Sequence, residues 1–441
     1  MSALLTDLYE LTMAAGFVAA GKHRDTATFE LFARRLPPNR NYLVAAGLAQ
    51  AIEYLSTLRF TDEEIGYLRG LPQFALAPEE FFSLLAALRF TGDVFAVPEG
   101  TPVFPGEPLL TVRAPLVEAQ IVETYLLATI SFQTMIASKA ARLTAAAQGR
   151  GVIEFGTRRA HSPAAGTLAA RAAYIGGCLG SSNTEAGFRF GIPVYGTAAH
   201  SWVQSFPREE DAFRALQALL GASTVHLIDT YNTHEGARCA ARVGAPLWGV
   251  RIDSGDLLAL SREVRAILDA AGLPTAKIMV SGDLTEGRVR ELAAANAPID
   301  ALGVGTDLAT SGDAPNLGAV YKLVEIKSSG ERRHTFKRSA EKATLPGAKQ
   351  VFRYADRDVI GCSWECIGCD ESPSVQALLR PVMLQGAIVN SLPSAEEARV
   401  RAASAIAALP ETVRSLDPAP EASYPVTISP ALRELEEGTR V

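Results

Sequence analysis

The chain has 441 residues, 48% of them hydrophobic and 20% charged, enough apolar material for a large core and two to three domains. Its net charge of -6 excludes the basic surface that a phosphate-backbone binder needs, so no nucleic acid partner is expected. The first basic residue, Lys22, follows Asp7 and Glu10, unlike a secretory signal, and the most apolar segment, 116–147, carries Glu118, Glu123, Lys139 and Arg142, so a cytoplasmic protein without membrane contact is expected.

Apolar residues at 4, 8, 11, 15 and 18 predict a helix over 4–20 that carries Asp7 and Tyr9. A strand over 26–33 ends in Arg34 and Arg35, with Arg40 close behind, a cluster suited either to an anion or to plain surface solvation. Helices are predicted over 43–56, 62–69 and 78–88. The stretch 92–115 consists of short β runs cut by Pro-Glu-Gly and Pro-Gly-Glu-Pro turns. Its V-x-x-G-x-P-V pattern resembles the hammerhead of biotinyl or lipoyl carriers, yet it contains no lysine to bear such a cofactor. A structural β element is therefore expected, and a non-catalytic carrier is the remote alternative. Residues 116–147 read as a long core helix, broken once.

From 151 to 308 the pattern becomes strand, polar turn, helix, repeated. Apolar runs at 152–155, 192–195, 224–228, 247–252, 277–280 and 301–304, with a weaker one near Cys178, each lead into a Gly, Asp, Asn or Arg cluster. Helical stretches such as 256–271 lie between them. Alternation of this kind requires parallel strands and crossover helices, and seven strands favour an α/β fold of irregular (β/α) barrel type. In a barrel the site lies at the carboxyl ends of the strands. There stand Arg158 and Arg159, Asn183, Thr197 and His200, Asp229, Arg251 with Asp253, Ser281 to Asp283, and Gly303 to Asp307. Two glycine turns, SGD (Ser281, Gly282, Asp283) and GVGTD (Gly303, Gly305, Thr306), can present backbone N–H groups to a phosphate, which on the last strands of a barrel favours a sugar-phosphate ligand. His200 follows a short β-branched run that stops at Gly196; its imidazole can act as nucleophile or base, although a single histidine is more often a packed one.

Beyond the barrel, a strand over 319–326 leads to residues 331–353, where seven basic side chains oppose two acidic ones, a local charge of +5. Paired with phosphate turns, such a loop suggests a polyanionic small molecule. Five cysteines in a chain of this size argue for free thiols over a disulfide framework, with Cys362, Cys366 and Cys369 as a candidate structural Zn²⁺ group that lacks an evident fourth ligand. Ser394 and Glu397 form a capping box for a helix to about 409, and the Pro-rich 410–430 reads as surface wrapping. The expected domains are 1–115, an α/β amino-terminal domain including the 92–115 β element; 116–317, the barrel; and 318–441, carboxy-terminal segments that complete the amino-terminal domain and carry the cysteine group.

The segments TDLYELTM (6–13), EFGTRRA (154–160), GSSNTEAG (180–187), GTAAHSWVQSF (196–206), LIDTYNT (227–233), VRIDSGDL (250–257), LGVGTDL (302–308) and KRSAEKATLPGAKQVFR (337–353) together resemble the nicotinate phosphoribosyltransferases, in order, over residues 4 to about 353. The resemblance implies an ATP-coupled glycosyltransferase of NAD biosynthesis, a homodimer with shared sites, that makes nicotinate mononucleotide and pyrophosphate from nicotinate and phosphoribosyl pyrophosphate. By the same resemblance His200 is the transiently phosphorylated histidine. Phe155 and the partner subunit's Tyr9 stack on the pyridine ring, while Arg158, Thr197 and Arg251 hold nicotinate. Ser281, Gly282, Asp283, Gly303, Gly305 and Thr306 cradle the 5′-phosphate, and Arg34 or Arg35, Lys337, Ser339, Lys342 and Lys349 face the pyrophosphate.

Elementary chemistry fits these roles. Loss of pyrophosphate from C1 of the ribose builds positive charge there, which Asp229 or Asp253 can offset, while the basic loop and Mg²⁺ neutralise the leaving group. A carboxylate-bearing pyridine wants a fixed arginine, Arg251 or Arg158. One carboxylate, Asp229 or Asp253, is expected to orient the His200 imidazole. The nearest rival is a nicotinamide phosphoribosyltransferase of the same fold, which usually has aspartate where Asn183 stands. A quinolinate enzyme lacks the phosphorylated histidine, and a Schiff-base aldolase would need a lysine absent between Lys139 and Lys277.

Overall fold

The structure is a computed structural model that describes residues 2–337, 343–368, 375–417 and 424–439. Two compact units divide the chain: residues 1–135 with 316–441, and residues 136–315.

The first unit is built on an antiparallel sheet. Its spatial order is Glu331–His334, Ala319–Ser328, Thr26–Ala33, Pro108–Pro115, Asp93–Ala96, Arg380–Leu384 and Ala387–Ile388. The strand Thr26–Ala33 pairs with Pro108–Pro115 on one edge and Ala319–Ser328 on the other, which is why seven of its eight residues are buried. The amino-terminal half is thus completed by segments some 290 residues later in the chain. Lys349 joins the same two regions: its ammonium lies 2.7 Å from Glu30 Oε2, with both side chains at least 97% buried. A second sheet runs Gln376–Ala377, Lys349–Arg353, Asp358–Cys362 and Val426–Ile428.

Two sequence expectations change here. The helix predicted over 43–56 starts only at Leu48, after a two-residue strand, Leu43–Val44. Gly47 sits at φ 99°, and a Cβ there would lie 2.8 Å from the Thr129 carbonyl, so the backbone must turn before the helix can begin. Secondly, the stretch 410–430 is not mere wrapping, since Val426–Ile428 adds a parallel strand to Asp358–Cys362. The long core helix is observed as Leu116–Ile121 and Glu123–Ala146. The Ser394–Glu397 capping box opens the helix Ala395–Ala407.

The second unit is a six-stranded parallel sheet, ordered Gly180–Ser181, Gly151–Glu154, Ala301–Val304, Lys277–Val280, Gly249–Ile252, Val225–Leu227. The last strand in sequence, Ala301–Val304, pairs with the first, Gly151–Glu154, so the order is circular, as in a barrel. The circle is interrupted at one place. The run expected as a strand over 192–195 is reduced to a single bridge between Ser181 and Val194, because Gly191 lies at φ 67° and Pro193 has no N–H to give a ladder. No hydrogen-bonded pairing joins that run to Val225–Leu227 among the described residues, so the barrel is not closed. The segment carrying Thr197 and His200 occupies this gap in the strand order.

Candidate active site

Each strand end in the second unit delivers a polar group, and a hydrogen-bonded chain joins them. Arg251, next to last on its strand, is the hub. Its Nε donates to Ser281 Oγ at 2.7 Å, Nη1 to Thr197 Oγ1 at 2.7 Å, and Nη2 to Asp253 Oδ1 at 2.5 Å. Ser281 Oγ also donates to Asp253. Half-burial would push the Asp253 carboxyl up, but the Ser281 hydroxyl, the Arg251 guanidinium and nearby His200 outweigh it and hold it below the usual carboxylate range. Asp253 is therefore a carboxylate at neutral pH. Asp229 Oδ2 accepts from the Asp253 backbone N–H at 3.0 Å and from Ser254 Oγ at 2.6 Å, while its buried Oδ1 has no hydrogen-bond partner among the described residues.

His200 opens the short helix His200–Gln204, with its side chain 41% exposed. Its Nδ1 is 3.1 Å from Thr230 Oγ1, and its Nε2 is 3.8 Å from Asp253 Oδ2. The hydrogen-bonded partner of the ring is thus a hydroxyl, where the sequence suggested Asp229 or Asp253; Asp253 stands at ion-pair distance only. Thr230 follows Asp229 directly, and its place in that strand-end polar cluster was the only signal that could have named it.

Phe155 packs beside the Arg251 hub. Its ring stacks under the Arg251 guanidinium at 5.7 Å, and an added Cβ at Gly303 would lie 2.6 Å from it, so the GVGTD turn needs glycine there for the ring to fit. Phe155 and Thr197 also line a cavity of about 370 Å³ together with Ile153, Tyr195, Trp248 and Met279, which continues to the amino ends of the strands at Gly151, Val225 and Ala301. Arg158, in the turn Thr157–Arg159, is exposed. Asn183 is committed elsewhere: its Oδ1 accepts from Ala186 N at 2.7 Å as cap of the helix Thr184–Phe190, and its Nδ2 donates to Thr157 Oγ1 at 3.1 Å.

The two glycine turns differ in construction. Gly282 has φ 89° and Asp283 φ 44°, and a Cβ on Gly282 would fall 1.8 Å from the Asp253 carbonyl. Gly305 caps the short helix Thr306–Ala309, and Thr306 is exposed. Behind this turn the buried Lys139 ammonium lies 2.9 Å from Asp307 and 3.0 Å from Asp313, and Arg142 pairs with Glu286 at 2.6 Å. Lys139 was read in the sequence only as a charge that excludes a membrane span.

In the first unit, Tyr9 is 47% exposed on the helix Leu8–Ala19. Burial, then the Glu123, Glu10 and Asp7 carboxylates, push its phenol above the ordinary range. Arg35 and Lys337 are exposed, and Arg34 is half-buried. Burial lowers the Lys322 amine, with the Glu123 carboxylate opposing the shift and the Arg34 and Lys337 charges adding to it, which places Lys322 near both cations. Lys349 is a correction. Its ammonium is bonded to Glu30 and to the carbonyls of Leu345 and Gly347, which uses all three donors in holding the fold and leaves none for an anion. Ser339 and Lys342 lie outside the described residues.

Cys178, Cys239 and Cys362 are buried free thiols, as expected, whereas Cys366 is disulfide-bonded. Cys369 lies outside the described residues, and no group of three or more His, Cys, Asp or Glu side chains converges as a metal site among the described ones. No described helix is long and apolar enough to cross a membrane.

The circular strand order with polar groups at the strand carboxyl ends defines an α/β protein of barrel type. Comparison with known proteins narrows this. The nicotinate phosphoribosyltransferase amino-terminal domain matches residues 4–131, the family's central part residues 151–359 and its carboxy-terminal domain residues 364–436. The nicotinate phosphoribosyltransferase pncB2 of Mycobacterium tuberculosis is 45% identical over 97% of this chain and 92% of its own length. The nicotinate phosphoribosyltransferase of Bacillus subtilis is 46% identical over 79% of this chain and 72% of its own. The crystal structure of human nicotinic acid phosphoribosyltransferase superposes with a TM-score of 0.85 at 30% identity, covering 98% of this chain and 99% of that one. A nicotinate-nucleotide pyrophosphorylase from Pyrococcus furiosus superposes at 0.76 and 26%, covering 92% and 95%. The chain belongs to the nicotinate phosphoribosyltransferase family.

Proposed function

We propose that the protein forms nicotinate mononucleotide and pyrophosphate from nicotinate and phosphoribosyl pyrophosphate, coupled to ATP hydrolysis through phosphorylation of His200. The observation that carries this reading is the continuous chain Thr197–Arg251–Asp253–Ser281 with Phe155 against Arg251 and His200 beside Asp253. Nicotinate lies in the Phe155 cavity with its carboxylate toward Arg251 or Arg158. Of the two, Arg158 has the freer charge, because that of Arg251 is already opposed by Asp253. The pyridine nitrogen attacks C1 of the ribose as the C1–O bond to pyrophosphate breaks, and the electron pair leaves on pyrophosphate. Asp253, a carboxylate held in place by two neighbours, offsets the charge that develops at C1.

An imidazole nitrogen of His200 takes the γ-phosphoryl group of ATP as the bond to the ADP oxygen breaks, and hydrolysis of the phosphohistidine returns the free ring. In the tautomer in which Nδ1–H donates to Thr230 Oγ1, the lone pair is on Nε2, the nitrogen facing Asp253. The unpartnered Oδ1 of Asp229 is an oxygen donor that suits Mg²⁺, an ion that keeps few protein ligands and is otherwise held by substrate phosphates. Bound there, the metal would neutralise the leaving group. By the family resemblance Arg34 or Arg35 and Lys337 face the pyrophosphate, and Tyr9 of the partner subunit in a homodimer would complete the stack on the ring.

Product formation from nicotinate and phosphoribosyl pyrophosphate, with and without ATP, tests the reaction, and nicotinamide in parallel tests the rival base. His200→Asn is expected to lose ³²P labelling from γ-labelled ATP and nicotinate-dependent ATP hydrolysis, while slow ATP-independent transfer persists. Undiminished labelling in that variant would refute the phosphohistidine.

A further inference from the structure

Most of the residues proposed above to hold nicotinate sit on turns, and the turns meet at one buried side chain that the mechanism does not use. Glu154 ends the strand Gly151–Glu154 and is 0% exposed. One carboxyl oxygen accepts from the Gly156 backbone N–H, and the other accepts from Ser181 Oγ at 2.5 Å. Ser181 Oγ in turn accepts from Asn183 N at 2.9 Å, and Ser182 N donates to the Glu154 carbonyl at 2.9 Å. Asn183 Nδ2 closes the ring on Thr157 Oγ1. From Ser181 the connection continues through two backbone bonds, Ser181 N to Pro193 O at 3.1 Å and Tyr195 N to Ser181 O at 2.9 Å, into the run that leads to Thr197.

Gly156 is pressed into this knot from the other side. A Cβ there would meet Ala309 at 2.3 Å, the Gly305 carbonyl at 2.7 Å and Glu154 Oε1 at 2.8 Å. The turn bearing Phe155 and Arg158, the turn bearing Asn183, the approach to Thr197 and the GVGTD turn therefore share one fixed point. Among the described residues no cation pairs with Glu154, so its two accepted bonds are what offset the loss of water. A carboxyl kept in such a place is costly unless it holds something in register.

We infer that Glu154, acting with Ser181, is a positioning residue for the base: it fixes the Phe155–Arg158 turn relative to Thr197, and so sets how tightly the pyridine carboxylate is held. The inference rests on the reading of the cavity as the nicotinate site. It predicts a selective effect, because both carboxyl hydrogen bonds of Glu154 go to Gly156 and Ser181, whereas the GVGTD turn meets the knot only through its packing against Gly156.

Steady-state kinetics and thermal melting of Glu154→Gln, Glu154→Leu and Ser181→Ala test it. In Glu154→Gln the amide oxygen can still accept from Gly156 N, and the second bond survives with its direction reversed, the NH₂ donating to Ser181 Oγ, so KM for nicotinate should stay within about threefold of wild type. Glu154→Leu removes both bonds and should raise KM for nicotinate by about tenfold or more, with KM for phosphoribosyl pyrophosphate changed by less than about threefold. Ser181→Ala should raise KM for nicotinate less than Glu154→Leu, with the same selectivity, and it decides the matter if Glu154→Leu fails to fold. Parallel rises in both KM values, a fall in melting temperature with unchanged KM for nicotinate, or Glu154→Gln as impaired as Glu154→Leu would each overturn the inference. Wild-type protein that makes no nucleotide from nicotinate would remove the reading beneath it, whereas an active wild type with unselective variants would sink the positioning role alone.

Discussion

His226 lies in the middle of the strand Val225–Leu227, wholly buried, stacked on Phe213 at 4.5 Å, with neither ring nitrogen hydrogen-bonded among the described residues. Burial lowers its pKa from the ordinary 6.5 to about 4. Between those values the unfolded ring takes up a proton that the folded one refuses, so stability must fall as pH drops through that window, by up to about 3 kcal/mol in all. Chemical denaturation of wild type and His226→Phe at pH 7 and pH 4.5 should show the slope in the first and its near disappearance in the second. At this scale the sequence was partly legible. His200, Arg251 and Asp253 could be named because each follows an apolar run at a strand end. Glu154 and Thr230 could not be given roles, because what each does is set by a partner 27 or 30 residues away.

Among elements, strands and helices with strong apolar periodicity were readable almost to the residue. Thr26–Ala33 and Lys277–Val280 agree with the expected 26–33 and 277–280, and the helix Leu257–Ala270 with 256–271. What failed were places where backbone geometry overrides hydrophobicity, Gly47 before its helix and Pro193 in the would-be strand. The SGD turn shows how strict such geometry is. Gly282→Ala would force a side chain into a left-handed position and within 1.8 Å of the Asp253 carbonyl, destabilising the protein by about 2–4 kcal/mol and displacing Asp253. Thermal melting and transferase activity should both fall sharply. Gly287→Ala, in the helix Glu286–Ala294 with only Thr285 Oγ1 at 4.0 Å, is the control and should be neutral or slightly stabilising.

Across the whole molecule, the fold class was legible because alternating strand and helix patterns persist over 150 residues, while the inward turn of Lys349 was not, since a lysine in a basic loop reads as solvent-facing until its partner is known. Lys349→Met would leave Glu30 buried without its counter-ion, destabilising the protein by about 3–5 kcal/mol in urea denaturation. Glu30→Leu combined with Lys349→Met should recover most of that loss, because it removes the stranded charge as well.

The pairing of Thr26–Ala33 with Ala319–Ser328 also has a consequence for how the protein is made. A ribosome adding about 5–20 residues each second needs roughly 15–60 s to reach the later strand after the earlier one has emerged. Throughout that interval a nascent apolar strand waits with one flank open, a natural client for a chaperone and a ready seed for aggregation when synthesis outruns protection.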